Sequence, residues 1–577
     1  MAARLTAYVV AFIVGVTFVA GLIVGAQRAD DGPVDLIIVN GRVFTGDASG
    51  SDAEAVAVQG NTILRVGSNR EIQRLARAQT TIIDARGGSV LPGFNDSHAH
   101  LLAGGLALDQ VSLSDATTME EVEQTVRAWA EANPTQPWIR GRGWPYAAFA
   151  GGLPTRQALD RLVPDRPAYL ISDDGHTGWA NTAALRAAGI TRHTPDPANG
   201  VIVRDARGEP TGALKEAAMS LVSQVLPAPG RDERLVALRA AMVEANRVGV
   251  TSVLSADGTR DDLELYDELR RRGEMTVRVY QALTVDGSAT TGDLDALDEV
   301  RQRYQDDPLL KTGVARVMAD GVVETGTAAL LDPYDGAAAG SGSLRMPAEA
   351  LTRLIGELDR RGWQVMTHAI GDAAVRAALD AYEAAAESNP APERGRRHRV
   401  EHLEVADPAD LGRFAGLDVV ASIQPAHGRP PADDDPWLTN LGPDRARRGW
   451  ATGSLLAKGA TVAFGSDWPV APLDPIGGLF VAVNRTTPDG EPAAGWVPEE
   501  KVDLDDAVRA YTAGGAWASF DDQRKGTLER GMLADIVILS TDIFARPPAE
   551  LLDAGVVTTI MDGKVVYRRD AVDSTDQ

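Results

Sequence analysis

The sequence contains no cysteine among its 577 residues. This absence excludes disulfide bonds, cysteine zinc sites, iron–sulfur clusters and cysteine nucleophiles. A bound metal must therefore be held by histidine and carboxylate side chains, and the chain has only 8 histidines.

Positive charge is also scarce relative to negative charge. The chain has 57 Lys and Arg against 81 Asp and Glu, so its formal net charge is −24. Such an acidic surface repels a phosphate backbone, and we expect no nucleic-acid partner. Hydrophobic residues make up 44% and charged residues 24%, a composition typical of a folded globular protein rather than a disordered one.

One long segment near the N-terminus has no charged residue at all, Leu5–Ala26. It matches the ~20 apolar residues that cross a bilayer. Residues 1–30 are therefore expected to form an N-terminal hydrophobic helix, either an uncleaved membrane anchor or a cleaved signal segment. Arg4 before the segment and Asp30 after it favour a catalytic body exported from the cytoplasm. We expect it to be anchored to the cytoplasmic membrane, or secreted or periplasmic after cleavage.

The two ends of the remaining chain resemble each other and differ from the middle. Short strand-like segments separated by hairpin dipeptides such as Asn40-Gly41 fill residues 34–92, and similar segments fill residues 526–568. This pattern predicts one small composite β-sandwich built from both ends of the chain. Residues 569–577 are expected to be a polar tail.

Residues 93–525 alternate apolar strand-like segments with helical patterns. This alternation predicts an α/β fold with a parallel sheet, most economically a (β/α)8 TIM-like barrel. The predicted strands are Ala168–Ser172, Val250–Leu254, Thr276–Leu283, Val314–Met318, Trp363–Thr367, Arg399–Glu401, Asp418–Ile423 and Thr461–Gly465.

Four histidines and one aspartate follow strand-like segments. His98 and His100 are two residues apart, so in a strand they point to the same side. His368, His402 and Asp467 end three other segments. Because the carboxyl ends of the strands form the active face of a barrel, we expect these five side chains to surround one mouth. Four imidazoles and a carboxylate suit Zn²⁺ or a similar divalent metal.

These residues lie in motifs that resemble the amidohydrolase superfamily, and within it the family-3 metal-dependent hydrolases that include N-substituted formamide deformylases. The resemblance covers nearly the whole chain after the hydrophobic segment. The motifs include VLPGFNDSHAHL, SDDGHTGWANTAAL, GEPTGALKEAAM, MADGVVETGTAAL, THAIGDAAV, RVEHLE, SIQPAH, FGSDWPVAPLDP and GTLERGMLADIVIL.

The resemblance implies a role for each of the five side chains. His98 and His100 fit the ligand pair of the first strand, and His368 and His402 fit the ligands of the fifth and sixth strands. Asp467 fits the aspartate of the eighth strand, which binds the metal and acts as general base and acid. A metal activates water and polarises the scissile carbonyl, while a carboxylate carries the proton to the leaving amine.

One position departs from the family pattern. Family-3 relatives commonly read VKxxxDG where this chain reads ARVMADG, which places Arg316 at the lysine position. Arginine cannot form the carbamate that bridges two metals, because it stays protonated. Lys215, Glu216 and Asp320 are the remaining candidates for a bridge. We expect one firmly held metal, and the pattern leaves a second one open.

Other candidates flank the expected metal site. His176, Trp179 and Asn181 resemble the substrate-side positions of the family, although a helix cap and a packing turn are the alternative explanation. His427 is the candidate for stabilising the tetrahedral oxyanion.

The expected activity is hydrolysis of a C–N bond in a non-peptide amide. A metal-dependent esterase or carbamate hydrolase is an alternative within the same chemistry. A non-catalytic, membrane-tethered binding protein is the alternative of another class, against which the intact ligand set argues. The motifs define neither the natural substrate nor the oligomeric state.

Overall fold

The computed structural model describes residues 33–47, 53–113, 116–149, 152–172, 175, 177–197, 200–304, 306–335, 340–432 and 435–569. The predicted hydrophobic helix of residues 1–30 and nearly all of the predicted tail lie outside these residues. Within them, no helix is long and apolar enough to span a membrane. The chain forms two compact units, and the second consists of His100–Glu244 and Asp261–Met275.

The first unit is centred on a sheet of eight parallel strands that are hydrogen-bonded in chain order. We number them as barrel strands one to eight: Phe94–Ala99, Val250–Ser255, Arg278–Thr284, Leu310–Met318, Gln364–Ala369, Arg399–His402, Val420–Ile423 and Val462–Phe464. Just beyond the eighth strand, the backbone N–H of Asp467 donates to the carbonyl of His98 in the first, at 2.6 Å. The sheet is thus nearly closed, which confirms the predicted TIM-like α/β barrel.

The barrel strands are covered on both faces, as is usual for a parallel sheet. All six residues of the second strand and all six of the fifth are buried. Helices of the first unit follow its later strands along the chain: Thr291–Tyr304, Ala348–Arg360, Asp372–Ser388, Leu411–Gly416, Thr452–Ala457 and Pro475–Asn484. The helix Arg260–Arg271 follows the second strand in the sequence and lies almost entirely in the second unit. The helix Asp372–Ser388 buries one apolar stripe, and from it the Tyr382 hydroxyl lies 2.7 Å from the Thr367 hydroxyl of the fifth strand.

Two further sheets of the first unit come from the ends of the chain. One contains Leu36–Val39, Ala55–Gln59, Thr62–Gly67 and Thr81–Asp84, and the other contains Arg42–Val43, Ser89–Pro92, Ile536–Leu539, Val556–Met561 and Lys564–Arg568. In the second of these sheets, Ser89–Pro92 pairs antiparallel with Ile536–Leu539. Ile38 and Val56 share one buried cluster with Ile536 and Ile560, so residues from both ends build one core.

The second unit contains a six-stranded sheet: Val111–Ser112, Ile139–Trp144, Ala168–Ser172, Thr177–Ala180, Pro210–Glu216 and Gly200–Arg204. The prediction that Ala168–Ser172 is a barrel strand was wrong, because it pairs with Ile139–Trp144 and Thr177–Ala180 in this sheet. A short apolar segment does not reveal which strands it will pair with. The segment 93–525, expected as one barrel, is therefore interrupted after the first barrel strand.

Candidate metal centre

The predicted histidines of the first unit meet at the carboxyl ends of its strands. The ring centroids of His98 and His402 are 4.8 Å apart, and those of His368 and His402 are 4.6 Å apart. The Nε2 atom of His98 lies 3.4 Å from Oδ1 of Asp467. The fold thus brings side chains from strands one, five and six together with one that follows strand eight.

His100 directly follows the first barrel strand and immediately precedes the helix Leu101–Leu108, without a capping hydrogen bond from its side chain. The boundary between the two units falls within the His98-Ala99-His100 motif. The candidate ligand atoms of His98, His100 and Asp467 all lie within 4.8 Å of one another. These three side chains therefore form a group that can hold a metal ion.

The close approach of the eighth strand to the first depends on a glycine and a buried carboxylate. A Cβ atom at Gly465 would lie 2.5 Å from the backbone nitrogen of His98, so no larger residue fits there. Asp96 accepts hydrogen bonds from the backbone N–H groups of His98 and Ser466, each at 3.0 Å. Burial raises the pKa of Asp96 to about 7. Asp96 was not predicted from the sequence, although it lies two residues before His98.

Each of the three histidines in the first unit has one ring nitrogen held by an acceptor. The pairs are His98 Nδ1 with Glu401 Oε2 at 2.6 Å, His402 Nδ1 with Gln424 Oε1 at 2.9 Å, and His368 Nε2 with the Gly321 carbonyl at 3.2 Å. Because each partner accepts, the ring N–H donates to it and the opposite nitrogen keeps its lone pair. The lone pairs therefore belong to Nε2 of His98, Nε2 of His402 and Nδ1 of His368.

The three rings are neutral. Burial lowers the pKa of His98, lowers the pKa of His368 to about 4 and lowers the pKa of His402 well below its usual value. Within the described part of the chain, Nε2 of His402 and Nδ1 of His368 are buried and have no hydrogen-bond partner. Leaving such atoms unsatisfied is costly, and coordination of a metal would satisfy them. The donor set therefore fits a divalent metal ion.

Glu401 is a functional residue that the sequence analysis missed. It lies on the sixth strand opposite His368, and its Oε1 accepts from Arg399 Nε at 2.8 Å. Burial acts to raise the pKa of Glu401, but Arg399 and His98 bring it down to about 2. An ionised carboxylate therefore orients the His98 ring. The available signal was a glutamate inside the short buried segment RVEH.

Comparison with known proteins decides the family. The model described as "Amidohydrolase family" matches residues 81–567. The chain belongs to the amidohydrolase family. This match confirms the prediction of a family-3 metal-dependent hydrolase. It favours an enzyme that hydrolyses carbon–nitrogen bonds over the alternative of a non-catalytic binding protein.

Similar proteins span nearly the whole amidohydrolase chain. Protein LONG AFTER FAR-RED 3 from Arabidopsis thaliana is 34% identical and covers 92% of this chain and 91% of its own. An N-substituted formamide deformylase from Arthrobacter pascens is 31% identical and covers 93% and 98%. A solved metal-dependent hydrolase from Pyrococcus furiosus has a TM-score of 0.70 at 26% identity and covers 89% and 99%.

His427 lies next to Asp467 in this amidohydrolase. It belongs to the short turn Pro425–Gly428, which follows the seventh strand. Its Nε2 atom is 4.0 Å from Oδ2 of Asp467, and burial lowers its pKa. Its catalytic role stays a prediction.

Asp320, a candidate for the metal bridge, is held by backbone donors. Its carboxylate accepts from the backbone N–H groups of Ala329, Ile370 and Gly371 at 2.9, 3.1 and 2.9 Å. Its Oδ1 atom lies 3.7 Å from Nε2 of His368. This is the ring nitrogen that carries the proton, whereas the lone pair is on Nδ1. Asp320 therefore holds the loop that begins the helix Asp372–Ser388, and a bridging role for it stays a prediction.

The remaining candidates lie in the second unit. Trp179 is fully buried and its Nε1 donates to the Thr155 carbonyl at 2.9 Å. Asn181 is 1% exposed and caps the helix Thr182–Ala187 by accepting from Ala184 N. Both side chains are thus used in packing and capping, and their substrate role stays a prediction. His176 lies outside the described residues. Lys215 and Glu216 end the strand Pro210–Glu216, and a bridging role for them stays a prediction.

Proposed function

We propose that this amidohydrolase cleaves the C–N bond of a non-peptide amide, such as an N-substituted formamide, a cyclic amide or an N-acyl amine. The observation that carries the proposal is the clustering of three neutral imidazole rings, of which His98 lies 3.4 Å from the carboxylate of Asp467. The similarity to a formamide deformylase over 93% of this chain supports an amide substrate.

We further propose that the centre holds one Zn²⁺ ion. The ligands would be His98, His100, His368, His402 and Asp467. When bound, such a metal polarises the scissile carbonyl and lowers the pKa of water to about 7. Arg316 supports a single ion, because it stands where a bridging lysine would otherwise be. Elemental analysis should therefore give about one metal per chain. Two metals, with one lost in Glu216→Gln or Lys215→Met, would contradict this.

The described side chains supply the proton transfers of hydrolysis. Asp467 takes a proton from water as the water oxygen bonds to the amide carbon. His427, whose Nε2 is 4.0 Å from Asp467, would donate a hydrogen bond to the resulting oxyanion and keep its proton. Asp467 then gives its proton to the amide nitrogen, the C–N bond breaks, and a carboxylic acid and an amine leave.

The test combines metal removal with a substrate panel. The enzyme is stripped with a chelator, reloaded with Zn²⁺ and assayed on matched amides, esters and carbamates. We expect activity to return with the metal and to be highest on an amide. The double variant His98→Ala, His100→Ala should lose both metal and turnover, whereas His193→Ala, which changes an exposed histidine, should keep both. A preference for esters or carbamates would contradict the proposal.

We propose that Leu5–Ala26 exports the catalytic body and anchors it to the cytoplasmic membrane. The support is the length of this segment and its lack of charge. The full-length protein should fractionate with membranes and be open to protease from outside the cytoplasm. A mature N-terminus near Gln27 would select the cleaved-signal alternative, and an intact cytoplasmic protein would refute both.

A further inference from the structure

Arg316 is a buried arginine whose positive charge has no counterion among the residues that the structure describes. It is 9% exposed, and none of the described carboxylates lies within ion-pair distance of it. Its one hydrogen bond is a long one, from Nη1 to the Ala256 carbonyl at 3.4 Å. Its Nε atom is buried and has no partner among the described residues.

The other buried arginines of the described chain are all compensated. Arg278 pairs with Asp535 at 2.7 Å, Arg399 pairs with Glu401 at 2.8 Å and Arg445 pairs with Asp335 at 3.1 Å. Arg485 has no carboxylate but donates to three backbone carbonyls. Burying a guanidinium without such partners is strongly unfavourable, so Arg316 is the exception that needs an explanation.

Arg316 lies in the barrel, close to the metal centre. It is on the fourth strand, two residues before Met318, and Met318 is in register with His368. Residues i and i+2 of a strand share a face and are about 7 Å apart, so Arg316 lies on the face of His368, one step below it. Its charge acts to lower the pKa of His98, His368 and His402, which places it within electrostatic range of all three.

Asp467 pairs with His98 in the centre, and three other carboxylates around it are engaged elsewhere. Glu401 accepts from His98 and Arg399, and Asp320 accepts from three backbone N–H groups. Glu404 accepts from Trp437 Nε1 at 2.8 Å. None of them is placed to neutralise the guanidinium. An anion that enters the site with the substrate can do so.

We propose that Arg316 binds a carboxylate of the substrate, so that the enzyme acts on amides that carry an acid group. This inference rests on the proposed function and adds the substrate class. A guanidinium offers two parallel N–H donors that match a carboxylate, and such a pair is strong where water is excluded. A neutral amide would leave the charge buried and uncompensated, which gives a physical basis for discrimination.

The experiment compares amides that differ only in the carboxylate. N-formylphenylalanine is paired with N-formylphenethylamine, and N-benzylsuccinamic acid is paired with N-benzylpropionamide. The readout is the ratio of kcat/KM for the acid to kcat/KM for its neutral partner. We expect a ratio on the order of 10² or more in the wild-type enzyme for at least one pair.

Variants at position 316 test whether the guanidinium causes the preference for the acid substrate. Arg316→Met should lower the ratio on the order of 10²-fold, and Arg316→Lys, which keeps the charge but loses the fork, should lower it less. Arg353→Met, which removes an exposed arginine from the helix Ala348–Arg360, should leave the ratio unchanged. Zinc content and circular dichroism show that each variant is folded and loaded. If Arg316→Met does not fold, Arg316→Lys decides.

The outcomes separate the two proposals. Hydrolysis of the neutral amides with a ratio near one overturns the role of Arg316 and leaves the proposed amidase function standing. A high ratio that persists in both Arg316 variants also overturns it. Failure to hydrolyse any amide overturns the proposed function and this inference with it.

Discussion

The Nδ1 atom of His98 lies 2.6 Å from Oε2 of Glu401, and both side chains are fully buried. Arg399 holds the other oxygen of Glu401, so a chain of three buried side chains ends on a candidate metal ligand. Because the pKa of Glu401 is about 2, the carboxylate is ionised and fixes His98 in the tautomer with its lone pair on Nε2. Glu401 and Arg399, which are not candidate metal ligands themselves, thus orient a residue that is.

Glu401→Gln should weaken metal binding about 10–100-fold, the usual effect of losing a carboxylate behind a ligating histidine. The measurement is competition for Zn²⁺ with a chelator of known affinity. The matched control is Glu383→Gln, because Glu383 is an exposed helical glutamate that also contacts an arginine. Equal zinc affinity in the two variants would show that Glu401 only satisfies Arg399.

Asp467→Asn should keep most of the metal while kcat falls on the order of 10²–10⁴-fold. Asparagine has nearly the same shape and can coordinate through its amide oxygen, but it cannot move a proton. Zinc content and kcat are measured on the same preparation. Full occupancy with less than about a tenfold loss of kcat would make Asp467 a ligand only, and His427 would then be the first candidate for the base.

The buried Lys525 should make the free energy of unfolding depend on pH. It is 6% exposed, donates to Asn95 Oδ1 and Ser252 Oγ, and burial lowers its pKa to about 8. An unfolded lysine has a pKa of about 10.4, so as pH rises the folded state releases the proton first. The stability that this residue contributes is therefore present above the unfolded pKa and is lost as pH falls through about 8.

The comparison is with Lys525→Met, which cannot titrate. The difference in unfolding free energy, wild type minus variant, should increase by roughly 1–3 kcal/mol between pH 7 and pH 10. Urea denaturation at both pH values gives the two differences. Lys458→Met, at an exposed position, serves as the control. A difference that does not change with pH would mean that the ammonium of Lys525 is not desolvated in the folded protein.

Gly465→Ala should destabilise the barrel by about 1–3 kcal/mol, the usual cost of overpacking. The new Cβ would lie 2.5 Å from the His98 nitrogen and 2.9 Å from the His98 Cβ. Zinc affinity should fall with stability, because the turn that carries Asp467 must shift. Gly412→Ala is the matched control, since the space around this helical glycine is open and alanine is the better helix former by ~1 kcal/mol. Equal thermal stability of the two variants would refute the contact.

The local pattern of apolar residues predicted most of the barrel strands correctly and failed at one. Every strand predicted between Val250 and Gly465 is a barrel strand, because strands covered on both faces tend to be apolar. Ala168–Ser172 has the same composition but lies in the second unit. Strand pairing depends on residues far away in the chain, which a local pattern does not contain.

The sequence by itself determined which residues can bind a metal. Without cysteine, the ligands had to be histidine and carboxylate, and the spacing of His98 and His100 brought two of them together. It also marked Arg316 as a departure from the family, but not as a buried charge without a counterion.

The tertiary structure decided how those residues are used. Strand alternation places Glu401 and His402 on opposite faces, yet the positive φ of His402, 76°, turns both toward the centre. Glu401 meets a histidine 303 residues earlier in the chain. The tautomer of each imidazole and the partner of each buried charge depend on such distant neighbours, because hydrogen bonding and desolvation act through space and not along the sequence.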